Sequence, residues 1–170
     1  MKILRNINVL KMAIKDNLRL GFVPTMGGLH KGHISLIKKS QKKCSRTLVS
    51  IYVNPKQFNN KNDYVKYPRN LIKDMQLLKK LKIDYIFIPK NEEIYSEKRL
   101  KKITLKKTEK ILCAKFRKGH FEGVLDIMDR FIKLIKPQYI FLGEKDFQQL
   151  FLIKNFIKNK YKSIIIPCKT

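Results

Sequence analysis

The feature that most restricts the fold of this sequence is its alternation of short apolar runs with segments of helical period. Leu20-Gly21-Phe22-Val23-Pro24 is an apolar run ending in a turn, and residues 34–43 read as a helix with a basic outer face. Residues 47–53 are rich in β-branched side chains, the composition of a buried strand. Leu71, Met75, Leu78 and Leu81 fall at helical spacing, and Tyr85-Ile86-Phe87-Ile88 is a strand stopped by Pro89. Val124, Ile127, Met128, Phe131 and Ile135 mark an amphipathic helix ended by Pro137. Tyr139-Ile140-Phe141-Leu142 is a strand stopping at Gly143. Phe147, Leu150, Phe151 and Ile157 follow as a helix, and Ile164-Ile165-Ile166 as a last strand closed by Pro167. Strands that are apolar on both faces and separated by helices imply a parallel sheet covered on both sides. Right-handed crossovers then give an α/β, Rossmann-like three-layer domain, whose ligands sit beyond the carboxyl ends of the strands. Residues 91–118 lack a clean period and read as an excursion with one short strand near Ile103-Thr104-Leu105.

Charge is the next constraint. The chain of 170 residues carries 39 Lys+Arg against 13 Asp+Glu, a formal net charge of +26. Such a balance raises a nucleic-acid partner as one reading. The basic residues are 32 Lys and 7 Arg, and the lysines are scattered through the polar slots of helices and turns. Readers of base edges lean on the planar fork of Arg, so a lysine-rich solvated surface is the better account. Either way the field favours anionic ligands. No apolar run approaches the ~18 residues of a membrane span, and polar residues interrupt the N-terminal segment Met1 to Asn8, leaving no signal-peptide core. Cys44, Cys113 and Cys168 form no CxxC pair and read as free thiols of a reducing cytoplasm.

Four polar segments stand where strands end. The richest is Pro24-Thr25-Met26-Gly27-Gly28-Leu29-His30-Lys31-Gly32-His33. Its glycines permit a tight turn, and the helix it opens offers free N–H groups to a phosphate. His30 and His33, three apart, fall toward one face and suit the charge of a pentacoordinate phosphorus transition state. A plain glycine turn with surface histidines, or a zinc site completed by His120, are the other readings. Nothing here resembles a His-Glu-x-x-His helix, which argues against the metal. Asn54 and Gln57, in Val53-Asn54-Pro55-Lys56-Gln57-Phe58, offer amides to carboxylate, hydroxyl or amine groups. Arg117-Lys118-Gly119-His120-Phe121-Glu122-Gly123 enters the strong helix. Gly143-Glu144-Lys145-Asp146-Phe147-Gln148-Gln149 adds a lysine suited to phosphate and an aspartate suited to ribose hydroxyls or a helix cap.

Together these segments resemble the pantothenate synthetase (pantoate–beta-alanine ligase) family, within the nucleotidylyltransferases that carry a His-x-Gly-His signature. The resemblance runs from about Leu20 to the end of the chain. His-x-Gly-His is widely shared, whereas Asn-Pro-x-Gln-Phe and Gly-Glu-Lys-Asp-x-Gln-Gln narrow it to this family. It implies that pantoate and ATP form pantoyl-adenylate and pyrophosphate, and that beta-alanine then displaces AMP to give pantothenate. By the same resemblance Met26, Gly27, Gly28, Leu29, His30, Lys31, Gly32 and His33 bind ATP. Gly143, Glu144, Lys145 and Asp146 bind it from the other side. His33, His30 and Lys145 act in catalysis, with His33 as a proton donor, and Gln57 and Gln149 hold pantoate or beta-alanine. Mg2+ accompanies ATP, no resident metal is implied, and a cytoplasmic homodimer is expected. Two positions depart from the pattern: Lys118 stands where the family usually has Pro, and Asp126 where it has a small hydroxyl residue. Longer family members continue into a serine-rich ATP clamp and a small C-terminal domain. Residues 1–170 are therefore expected to be one Rossmann-like ATP- and pantoate-binding domain.

Overall fold

The structure, a computed structural model, describes residues 1–16, 19–96 and 102–169. In chain order the elements are β1 (Lys2–Leu4), α1 (Ile7–Ile14), β2 (Leu20–Thr25), α2 (Lys31–Lys43) and β3 (Arg46–Ile51). After them come α3 (Lys61–Lys66), α4 (Leu71–Lys80), β4 (Tyr85–Phe87), α5 (Asn91–Ile94) and α6 (Cys113–Phe116). The chain closes with α7 (His120–Ile135), β5 (Tyr139–Gly143), α8 (Phe147–Lys158) and β6 (Ile164–Cys168). Single 3-10 turns follow β3 (Pro55–Gln57), precede α6 (Lys107–Glu109) and follow β5 (Glu144–Asp146). All pairings are parallel, in the order β1-β4-β3-β2-β5-β6.

Alternation within each strand builds a core on each face. Phe22, Leu48 and Ile140 join Phe131, Ile132 and Ile153 on the side of α1, α7 and α8. Their neighbours Val23, Val49 and Phe141 join Leu36, Ile37 and Leu78 on the side of α2 and α4. Phe131 is central to the first core. Its ring meets Phe22, Tyr52 and Phe87 edge-on, with centroids 5.6, 5.9 and 6.0 Å away. Strand order reverses between β2 and β5, which opens the crevice where an open α/β sheet takes its ligand.

Several sequence expectations are corrected. The N-terminal segment, assigned no element, supplies β1 and α1; three residues are too few for a period to show. Neither proline stops its strand: β2 runs through Pro24 to Thr25 and β6 through Pro167 to Cys168. Pairing of β2 with β5 ends at Phe22↔Ile140, so the N–H that Pro24 lacks has no strand beside it to serve. β6 is an edge strand, where proline is tolerated. Residues 103–105 form no strand. Leu105 is buried and Ile103 half-buried against the α7 side of the core, so their apolar character anchors a loop.

Candidate active site

The glycine turn after β2 is held from three sides. Thr25 Oγ1 donates to Ser50 O at 2.6 Å and accepts the N–H of Gly27 at 3.2 Å. Gly27 and Gly28 take φ of 83° and 62°, the left-handed region that favours glycine. Asp74, a buried residue in the first turn of α4, accepts the N–H of Gly28 at 2.9 Å and of Leu29 at 2.8 Å. The side chain of Leu29 turns back onto the α2 side of the core. The loop N–H groups of Gly27, Gly28 and Leu29 are thus engaged within the fold, ahead of the helix N-terminus that the sequence suggested for a phosphate.

His30 is the N-cap of α2. Its Nδ1 accepts the N–H of Gly32 at 3.0 Å, and its own N–H points to Nδ1 of His33 at 3.4 Å. A ring nitrogen that accepts carries no proton, so Nε2 is the nitrogen each ring has left to donate. The two rings lie with centroids 4.2 Å apart. Burial, and then the neighbouring His30, push the His33 imidazole down to about 4.

These rings line a cleft of about 390 Å³ at the carboxyl ends of β2 and β5. Met26, Gly32, Tyr52, Asn54 and Gln57 line it from the β2 and β3 side, and Gly143, Lys145, Asp146 and Gln149 from the β5 side. Val124, Ile127, Met128 and Phe131 of α7 give it an apolar wall. Gln57 is buried and donates through Nε2 to Met26 Sδ at 2.7 Å. Asn54 donates to Gly123 O at 3.0 Å and accepts from Tyr95 Oη at 2.8 Å. The adjacent glutamines divide: Gln149 faces the cleft, while Gln148 donates to Ile111 O at 2.7 Å and accepts from Ala114 N at 3.3 Å.

Not every candidate residue converges there. Lys31 and Glu144 line a separate depression with Ser35, Lys38 and Lys39. Gly27 faces a smaller hollow beside Asp74 and Arg69. Gly28 and Leu29 are outside the lining of the cleft; their N–H groups are turned to Asp74. His120 is outside the lining of the cleft; its Nδ1 is 2.7 Å from Gln57 O, and burial lowers its proton affinity. That contact ties the start of α7 to the turn carrying Gln57. Gly123 makes the same junction tight, since a Cβ there would meet Lys56 O at 2.3 Å.

The departure at Asp126 is neutralised in place. Its carboxylate lies 3.3 Å from Arg130 Nε and 3.6 Å from Lys56 Nζ, and both cations stand over the ring of Tyr95. Sequence reasoning missed Asp74. The available signal was an acidic residue on the face defined by Leu71, Met75 and Leu78, where a charge needs a partner.

Known proteins share the sequence and fold of this chain. The family model described as pantoate-beta-alanine ligase matches residues 2–170. The pantothenate synthetase of Francisella philomiragia is 43% identical over 99% of this chain, and the chain spans 66% of that relative's length. The crystal structure of a Francisella tularensis pantoate-beta-alanine ligase, complexed with beta-gamma ATP and beta-alanine, is 42% identical with a TM-score of 0.92. The match covers 100% of this chain and 68% of that one. A pantothenate synthetase structure from Thermus thermophilus is 32% identical with a TM-score of 0.93, over 100% of this chain and 62% of that one. Sequence and fold thus agree over nearly all of these residues, and the chain belongs to the pantoate–beta-alanine ligase family.

Proposed function

We propose that this chain is the ATP- and pantoate-binding domain of an enzyme that joins pantoate to beta-alanine through a pantoyl-adenylate. The carboxylate of pantoate attacks the α-phosphorus of ATP and pyrophosphate leaves. The amine of beta-alanine then attacks the acyl carbon and AMP leaves. The enzyme needs no covalent link to substrate, so its work is to hold two anions in line and stabilise the charge that builds on phosphorus. One observation carries the reading: two imidazoles, Lys145, Gln57 and Gln149 converge on a single cleft at the point where the strand order reverses.

In this reading the Nε2–H groups of His30 and His33 and the ammonium of Lys145 meet the phosphates. At neutral pH His33 is uncharged and acts first as a hydrogen-bond donor; a phosphate beside it raises its proton affinity. Asp146, the carboxylate lining the cleft among the described residues, accepts from ribose hydroxyls. ATP enters as its magnesium complex. Gln57 and Gln149 bond the carboxylate and hydroxyls of pantoate, and the α7 wall receives its methyl groups. A cytoplasmic homodimer belongs to the same reading. The thiols of Cys44, Cys113 and Cys168 are free, and the exposed Phe116, Phe147 and Phe151 are apolar surface for a second copy to cover. Among the described residues no helix is long and apolar enough to cross a membrane.

The test is pantoate-dependent exchange of labelled pyrophosphate into ATP. We expect exchange with pantoate, and a loss of about 10²–10³-fold in His33→Ala, as for other removed transition-state donors. Exchange with a different acid and none with pantoate overturns the assignment.

A further inference from the structure

Asp74 lies outside the segments that the family resemblance marks, yet it is joined to the signature loop more closely than any other carboxylate described. It is 4% exposed. Taking a carboxylate out of water is costly unless its lone pairs are filled. No ion pair fills them among the described residues. The two oxygens instead accept consecutive backbone N–H groups, Oδ2 from Gly28 and Oδ1 from Leu29. Oδ2 also sits 2.9 Å from where a Cβ on Gly27 would stand, so the carboxylate occupies space that only glycine leaves open.

We propose that Asp74 is a positioning residue for the histidine pair: by clamping the N–H groups of Gly28 and Leu29 it holds the left-handed glycine turn and so sets where His30 and His33 present their Nε2–H donors. The path is short and covalently continuous. The residue after Leu29 is His30, whose N–H faces Nδ1 of His33 and whose own Nδ1 takes the N–H of Gly32. If the turn relaxes, the His30 N–H moves, and with it the bond that reserves Nδ1 of His33 as an acceptor. Asp74 lies in the first turn of α4, so the helix itself carries the carboxylate to the loop. This role rests on the proposed phosphate-facing function of the two histidines, but the geometry it sets is measurable without turnover.

The test compares Asp74→Asn with Asp129→Asn in the full chain. Asn at 74 keeps the shape but turns an amide NH2 toward one of the two N–H groups. Asp129 is a buried carboxylate on α7, bonded to Lys160 and Tyr161 away from the loop, and controls for lost stability alone. Histidine tautomers are read from nitrogen-15 spectra of the rings, and Gly28 and Leu29 protection from amide exchange. In Asp74→Asn we expect at least tenfold faster exchange at both amides, mixed tautomers at His33, and a fall of tenfold or more in the pyrophosphate-exchange rate with the KM for pantoate little changed. Asp129→Asn should show none of these. Should Asp74→Asn not fold, Asp74→Ser, which keeps one acceptor, carries the same readouts. A folded variant with unchanged tautomers, amide protection and exchange rate overturns the proposal. Altered tautomers in a protein whose wild type shows no pantoate-dependent exchange overturn the function and leave the positioning role standing.

Discussion

When the ring nitrogen of a histidine accepts a backbone N–H, the choice of tautomer passes from solvent to fold. His30 and His33 are both in that state, and His33 is also buried enough to hold its imidazole down to about 4, against 6.5 when free. The consequence for stability has a definite sign. Between these values the unfolded chain binds a proton that the folded one refuses, so His33 is neutral in stability above pH 6.5 and works against folding as pH falls toward 4. Replacing it with glutamine removes that dependence. In urea titrations at pH 7 and pH 4.5 we expect the native chain to lose roughly 1–2 kcal/mol more than His33→Gln, after allowance for the ring's partial exposure. An equal loss in both would show that His33 titrates normally.

At the scale of elements, the site depends on two helices meeting loops more closely than side chains would allow. The start of α7 rests on the 3-10 turn after β3, and a Cβ on Gly123 would meet Lys56 O at 2.3 Å, Lys56 C at 2.6 Å and Gln57 Cα at 2.9 Å. Backbone cannot swing aside as a side-chain tip can. Gly123→Ala should therefore cost about 1–3 kcal/mol by chemical denaturation, in the range of overpacked cores. It should also displace Gln57 and raise the KM for pantoate several-fold. Native-like stability would show that the helix shifts freely. The same scale explains what was legible beforehand. Strands β2, β3 and β5 are apolar on both faces and β-branched or aromatic, so their runs announced themselves. β1 is three residues long, and its partner β4 lies more than eighty residues further along the chain, so only tertiary pairing reveals it. Within the site, Met26, His30, Gln57 and Lys145 were legible because they sit in segments at strand ends. Asp74 was not, because its partners are backbone N–H groups 45 and 46 residues away.

For the molecule as a whole, the charge of +26 acts as a field more than as a set of contacts. Few of the lysines have carboxylates to meet, with only 13 acidic residues in the chain. Like charges spread over one compact body repel, and the repulsion is relaxed by unfolding. Salt screens it over about 10 Å at 0.1 M. Thermal unfolding should therefore rise by several degrees between about 10 mM and about 300 mM sodium chloride, with ~1 kcal/mol corresponding to about 2–4 °C at this size. Binding of an anionic nucleotide should weaken over the same range. A melting temperature that falls with salt would mean that attractive pairs outweigh the general repulsion.

The edge of the sheet carries a consequence of its own. Pro167 sits within β6, has no N–H to offer, and its carbonyl is bonded by Lys39 Nζ at 3.0 Å. A strand from another chain, approaching to lengthen the sheet, meets a missing rung beside a positive charge. Among the described residues β6 is an edge that is isoleucine-rich and half exposed, and the interruption leaves it without the continuous run of donors that edge-to-edge pairing needs.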